Sequence, residues 1–153
     1  MNMKELILFQ LANSYYESGW FVCATQSLAH LTEEQTIWRS NNDTNSIRGI
    51  VEHLIFYNTQ YLREFLNEDT LPEPKQNSDT FNTDSSSSWN ELLQQLDQIM
   101  SNWKQVIEQA SDETIEKWIE NLSHLNMHTS YHVGQIIQIR KQQQSWDPKW
   151  GVH

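Results

Sequence analysis

Apolar residues recur along the chain at the three- and four-residue steps of an α-helix, in four long stretches separated by polar punctuation. The first covers residues 4–28, with Leu8, Leu11, Tyr15, Phe21, Val22 and Leu28 near helical spacing. Gly19 is its weak position, costing about 1 kcal/mol relative to alanine. Thr32-Glu33-Glu34-Gln35 reads as a capping box that starts a short helical turn leading to Trp38. The polar run 40–46 is rich in residues that favour caps and turns, and Asn45 or Ser46 is placed to cap the second helix. That helix is predicted over residues 47–66, where Ile50, Leu54, Tyr57, Tyr61 and Phe65 keep to the 3.6-residue period.

Residues 67–87 break the pattern. They contain Pro72, Pro74 and the first three of four consecutive serines, and are too long for a tight antiparallel turn, so they read as a crossover connection or as a disordered insertion. Ser88-Trp89-Asn90-Glu91 is a second capping box, opening a third helix that ends near residue 110. Its apolar positions Trp89, Leu92, Leu96, Ile99, Trp103 and Val106 alternate between three- and four-residue steps, as in a bundle seam. Ser111-Asp112-Glu113 begins a short segment, with acids suited to a helix N-terminus, and the last long helix is predicted over residues 120–143. Residues 144–153 read as a non-helical tail, in which Trp146 and Trp150 call for docking onto the body or a partner. The pattern predicts an all-α protein: a four-helix bundle with a long connection between helices two and three, in one domain spanning residues 1–153.

Composition narrows the function classes. The 153 residues carry ten Lys+Arg against twenty Asp+Glu, a formal charge of −10. Such a surface repels phosphate backbones and anionic lipid, which argues against nucleic-acid and membrane partners. Uninterrupted aliphatic or aromatic runs reach only the four residues of Leu6-Ile7-Leu8-Phe9 and Leu54-Ile55-Phe56-Tyr57, far short of the ~20 residues that span a bilayer. The opening Met-Asn-Met-Lys-Glu lacks the pattern of a secretory signal, so the expected location is cytoplasmic. Cys23 is the single cysteine, which excludes an internal disulfide and any multi-cysteine zinc site. Flanked by Phe21, Val22 and Ala24, it reads as a small buried hydrophobe.

The candidate chemistry lies in the histidines. His124, His128 and His132 are spaced by four, which advances about 40° per step around a helix. They share a stripe with Leu125, Ile136 and Ile139, so the imidazoles are expected to face the core. One core-facing histidine is ordinarily a satisfied polar group. Three in register are harder to dismiss, because each buried ring needs partners for two nitrogens. A His-x-x-x-His spacing also puts two ring nitrogens on one side of a helix, able to grip a divalent ion. His53, flanked by Ile50, Leu54 and Tyr57, offers a third ligand if the second and fourth helices are neighbours; the alternative is a histidine packed edge-on that donates to a carbonyl. No Glu-x-x-His of a di-iron bundle is present, and no His-Glu-x-x-His of a zinc protease. His30 reads as a helix C-terminal residue, and Tyr57, Tyr61 and Tyr131 as core or pocket residues.

Two segments resemble a known family. His128-Thr129-Ser130-Tyr131-His132-Val133-Gly134-Gln135-Ile136 is similar to the final-helix motif of the DinB/YfiT-like metalloenzymes. Ser46-Ile47-Arg48-Gly49-Ile50-Val51-Glu52-His53-Leu54 resembles their second-helix motif. The resemblance covers nearly the whole chain and is weakest over residues 67–87 and after 143. It implies a bundle in up-down-down-up order, a homodimer, and one divalent metal ion per chain on His53, His128 and His132. Imidazole ligands suit zinc, nickel, copper and iron alike, with nickel or zinc the expectation. His124 has no ligand counterpart; it can serve as a pocket group, Gln135 can orient a bound water, and Gly134 either permits close helix approach or is merely tolerated. Relatives with assigned roles include transferases and isomerases that use a low-molecular-weight thiol, so a metal-dependent S-transferase acting on a small molecule is the leading expectation. A non-catalytic dimeric bundle that binds a ligand or protein is the alternative.

Overall fold

The computed structural model describes residues 1–82 and 85–152; Thr83 and Asp84 of the predicted connection and His153 of the predicted tail lie outside the described residues. The described residues contain six α-helices and no strand: α1 (Met3–Leu11), α2 (Ala24–Leu28), α3 (Glu33–Ile37), α4 (Ile47–Phe65), α5 (Trp89–Gln109) and α6 (Asp112–Gln142). A π-helical turn succeeds α1 at Ala12–Tyr16, and single 3₁₀ turns occur at Asn77–Phe81 and Pro148–Trp150. The chain divides into two units, Met1–His30 with Asn102–His153, and Leu31–Ser101.

In the first unit, α1 and α2 both pack on α6. The single helix expected over residues 4–28 is broken. Side chains compete for its backbone: Asn13 Nδ2 donates to the Phe9 carbonyl and Ser14 Oγ to the Leu11 carbonyl. The Glu17 amide then reaches back five residues to Ala12, closing the π turn that ends the helix. Ser18 Oγ receives the Cys23 amide at 3.1 Å and itself donates to Gln26 Oε1 at 2.6 Å, so the chain re-enters a helix only at Ala24. The opposite correction applies to α6. Where the sequence suggests a short segment and then a helix from residue 120, one 31-residue helix runs from Asp112, capped by Ser111 Oγ on the Thr114 amide. Nothing between 112 and 119 interrupts it; that stretch has neither Gly nor Pro, and Ile115 and Leu122 are both buried.

The tail docks within the same unit. Arg140 is 0 % exposed. Its guanidinium donates to the Ser27 and Ala29 carbonyls at 2.7 and 2.9 Å and twice to the Ser145 carbonyl, at 3.0 and 2.8 Å. The rings of Trp146 and Trp150 lie 5.2 and 5.0 Å from its central carbon. Gln26 Nε2 donates to the Trp150 carbonyl, and His30, at φ 62, places its ring 5.6 Å from Trp150. His30 directly follows the C-cap residue of α2, Ala29, in the left-handed conformation that commonly ends a helix, so it stands at a helix C-terminus as the sequence suggests.

In the second unit, α3 packs on α4. Both expected caps are present, Thr32 with Gln35 at α3 and Ser46 on the Gly49 amide at α4. The Ser88–Glu91 box opens α5, and the Trp89 amide donates to Glu33 Oε1 at 2.7 Å. Along α5, whose residues from Asn102 onward belong to the first unit, the buried positions are Trp89, Leu92, Leu96, Met100, Trp103 and Ile107. Met100 and Ile107 thus take the places expected of Ile99 and Val106, whereas Trp103 keeps its own. The steps of 3, 4, 4, 3 and 4 residues average the 3.6 of a straight helix, whereas the expected seam has the tighter repeat of a supercoil.

Arg140 donates to three main-chain carbonyls in this region. Arg140→Met is expected to lower unfolding free energy by about 2–4 kcal/mol, because the buried Ser27 carbonyl and the part-buried Ala29 and Ser145 carbonyls lose their donor. Urea denaturation measures this; a loss below about 1 kcal/mol would show that water replaces the guanidinium.

Candidate metal centre

In the second unit, the Ser46 cap and the apolar stripe Ile50–Leu54 turn His53 inward, and it is 2 % exposed. Its Nδ1 lies 2.7 Å from Thr80 Oγ1. The Phe81 ring stacks on the imidazole with centroids 3.9 Å apart and planes 11° from parallel. Tyr57 meets it edge-on at 4.9 Å and donates its hydroxyl to Asn77 Oδ1. Three of these contacts come from the 3₁₀ turn Asn77–Phe81, inside the segment to which the sequence assigned no site residue. The signal was an apolar Phe81 after Asn77-Ser78-Asp79, residues that favour tight turns. Farther along, Arg48 pairs with the buried Glu52 at 3.3 Å and donates to the Ser85 and Ser87 carbonyls, holding the end of the connection.

In the first unit, α6 carries the other two candidates one turn apart. His132 is 4 % exposed and His128 is half-buried. Their Nε2 atoms are 3.0 Å apart. Two nitrogens bound to one ion at about 2.0–2.1 Å, with angles near 90–109°, stand about 2.9–3.4 Å apart, so this spacing already suits a shared ion. The proton positions follow from Gln135. Its Nε2 donates to Tyr131 Oη at 3.2 Å, which turns its Oε1 toward His132 Nδ1 at 2.7 Å. An amide oxygen only accepts, so His132 carries its proton on Nδ1 and its lone pair on Nε2. Gln135 thus orients a histidine where the sequence suggested a water.

Burial also keeps the pair uncharged. Loss of hydration, with a further contribution from neighbouring His132, pushes His128 down to about 4. Burial lowers His132 too, partly opposed by the bond to Gln135. A neutral imidazole is the form that binds a cation.

The remaining candidates separate. His124 does not face the core: its side chain is 70 % exposed, with Glu120 at 4.0 Å. The 40° advance per four residues carries the stripe from buried His132, through His128, out into solvent at His124. Gly134 is exposed and a Cβ there would meet nothing within 4 Å, so it is a tolerated glycine. Cys23 is buried, with Thr25 Oγ1 at 3.3 Å. Tyr131 is exposed and Tyr57 and Tyr61 half-buried.

A family model described as the DinB superfamily matches residues 24–136, nearly three quarters of the chain. The chain belongs to the DinB superfamily. All three candidate ligands of this DinB-superfamily chain fall inside the matched segment. No curated protein and no solved structure gives a significant match.

The depressed values make a stability prediction for the metal-free DinB-superfamily chain. Unfolded, each histidine titrates near the ordinary 6.5, whereas folded His128 stays neutral down to about 4. Between those values the unfolded chain binds more protons, so stability falls as pH is lowered through that window. His128→Gln is expected to flatten the decline in denaturation midpoint between about pH 7 and about pH 5, relative to the unaltered chain. Equal slopes in both would contradict the assignment.

Proposed function

We propose that His53, His128 and His132 each give one ring nitrogen to a single divalent ion, nickel or zinc. In this reading the protein is a metal-dependent enzyme, an S-transferase that uses a low-molecular-weight thiol. The observation that carries it is the pair of neutral imidazoles on α6, with Nε2 atoms 3.0 Å apart. Membership of the DinB superfamily supports the same reading. Three neutral histidines leave coordination positions open, as catalytic sites do and structural sites do not.

A divalent ion bound there supplies Lewis acidity, which lowers the pKa of a thiol enough for thiolate to form at neutral pH. The protein's own residues hold and orient. Gln135 fixes the His132 ring, and Tyr131, which accepts from Gln135, keeps its hydroxyl proton for a substrate atom. Cys23 is buried, so the reacting thiol belongs to a bound molecule. With this reading goes a four-helix bundle in up-down-down-up order, paired as a homodimer in the cytoplasm. The charge of −10 supports the absence of nucleic-acid and anionic-membrane partners. No helix among the described residues is long and apolar enough to cross a membrane.

Elemental analysis of protein purified without an affinity tag is the test. About one divalent ion per chain is expected, falling by at least about tenfold in His128→Ala and in His53→Ala, as for loss of a ligand. Metal-free protein, or occupancy that survives both substitutions together, overturns the assignment and leaves the non-catalytic bundle as the reading.

A further inference from the structure

The turn Asn77–Phe81 is built against α4 more closely than a connection needs. Gly49 lies inside α4, where glycine costs about 1 kcal/mol relative to alanine. A Cβ at Gly49 would stand 2.5 Å from the Phe81 carbonyl oxygen, a main-chain atom that cannot swing away. The helix thus gives up stability where the turn presses on it. Gln76 closes the turn from below, its amide reaching Asp79 Oδ2 at 3.2 Å. Thr80 is 2 % exposed, although its neighbours along the connection are mostly in solvent.

The hydroxyl of Thr80 has two partners and one proton. It lies 2.7 Å from the Asn77 carbonyl oxygen and 2.7 Å from His53 Nδ1. The carbonyl can only accept, so the hydroxyl proton is spent there. Nδ1 of His53 must then be the donor, which puts the lone pair of the neutral ring on Nε2. Phe81, stacked on the ring face, and Tyr57, at its edge, restrict rotation of the imidazole about this bond. Gln135 makes the same arrangement at His132 from within one helix, whereas at His53 the acceptor comes from 27 residues away.

We infer that Thr80 is the positioning residue for His53: the docked 77–81 turn selects the Nδ1–H tautomer and aims Nε2 as a metal ligand. Thr80 acts through His53 and does not itself touch the ion. The metal-affinity part of this inference rests on the function proposed above; the tautomer part does not.

Two measurements on the full chain separate them. In metal-free protein above the imidazole titration range, ring ¹⁵N shifts of His53 are expected to report Nδ1–H in the unaltered chain and in Thr80→Ser. In Thr80→Val, which keeps the shape and loses the hydroxyl, they are expected to move toward Nε2–H. Titration with Zn²⁺ alone is expected to show a Kd weakened about 10- to 100-fold in Thr80→Val and largely restored in Thr80→Ser. Thr80→Ala replaces the valine variant if the latter fails to fold. Unchanged ring shifts together with unchanged Zn²⁺ affinity in the hydroxyl-free variant overturn the inference. A tautomer change in a chain that binds no Zn²⁺ even unaltered upholds the positioning of His53 and removes the metal reading instead.

Discussion

A neutral imidazole has one proton for two nitrogens, and the local structure around these histidines is organised by where that proton goes. At His132 an amide oxygen oriented by Tyr131 accepts it at Nδ1. At His53 the partner of Nδ1 is a threonine hydroxyl whose own proton is committed to a carbonyl. Neither Gln135 nor Thr80 is itself a candidate ligand. Both pin the ring and polarise it, which is the work that outer partners do around metal-bound histidines. Such sites lose much of their affinity when these partners are removed, so the candidate centre extends beyond three side chains.

The same economy of buried polar groups governs the other end of the first unit. Arg140 has five donor hydrogens and no exposure, and main-chain carbonyls of the α2 end and of the tail take four of them. Two tryptophans cover the guanidinium, so residues beyond α6 belong to the folded body. A charged group buried in this way is stable only while its bonds remain complete. That makes Arg140 a stability residue and His128 and His132 functional candidates, although all three lie on one helix.

Much of this was legible because it is local. Caps at Thr32, Ser46 and Ser88 involve groups three residues apart, and the limits of α4 and α5 follow from caps and period alone. The i, i+4 relation of His128 and His132 is equally a property of any helix. Elsewhere, local effects of similar size compete, and the pattern of apolar residues does not show which wins. Side-chain bonds by Asn13 and Ser14 end α1 early, and the absence of a breaker lets α6 start eight residues sooner than its densest stripe suggests. His124 leaves the core because a three-histidine stripe precesses by about 80°.

The positions of α3, α4 and α5, the acidic surface and the identity of the three histidines were therefore determined by the sequence itself, through propensities and spacings that act within one or two turns. Tertiary structure decided which ring is buried, which stays in solvent, and which distant residue holds the proton of His53. Thr80 illustrates the difference. Nothing near it in the chain announces a partner, and its role exists only because a glycine in α4 lets a remote turn come within hydrogen-bonding distance of His53. Hydrogen bonds act over about 3 Å, so sequence can name donors and acceptors, but only packing brings them within reach.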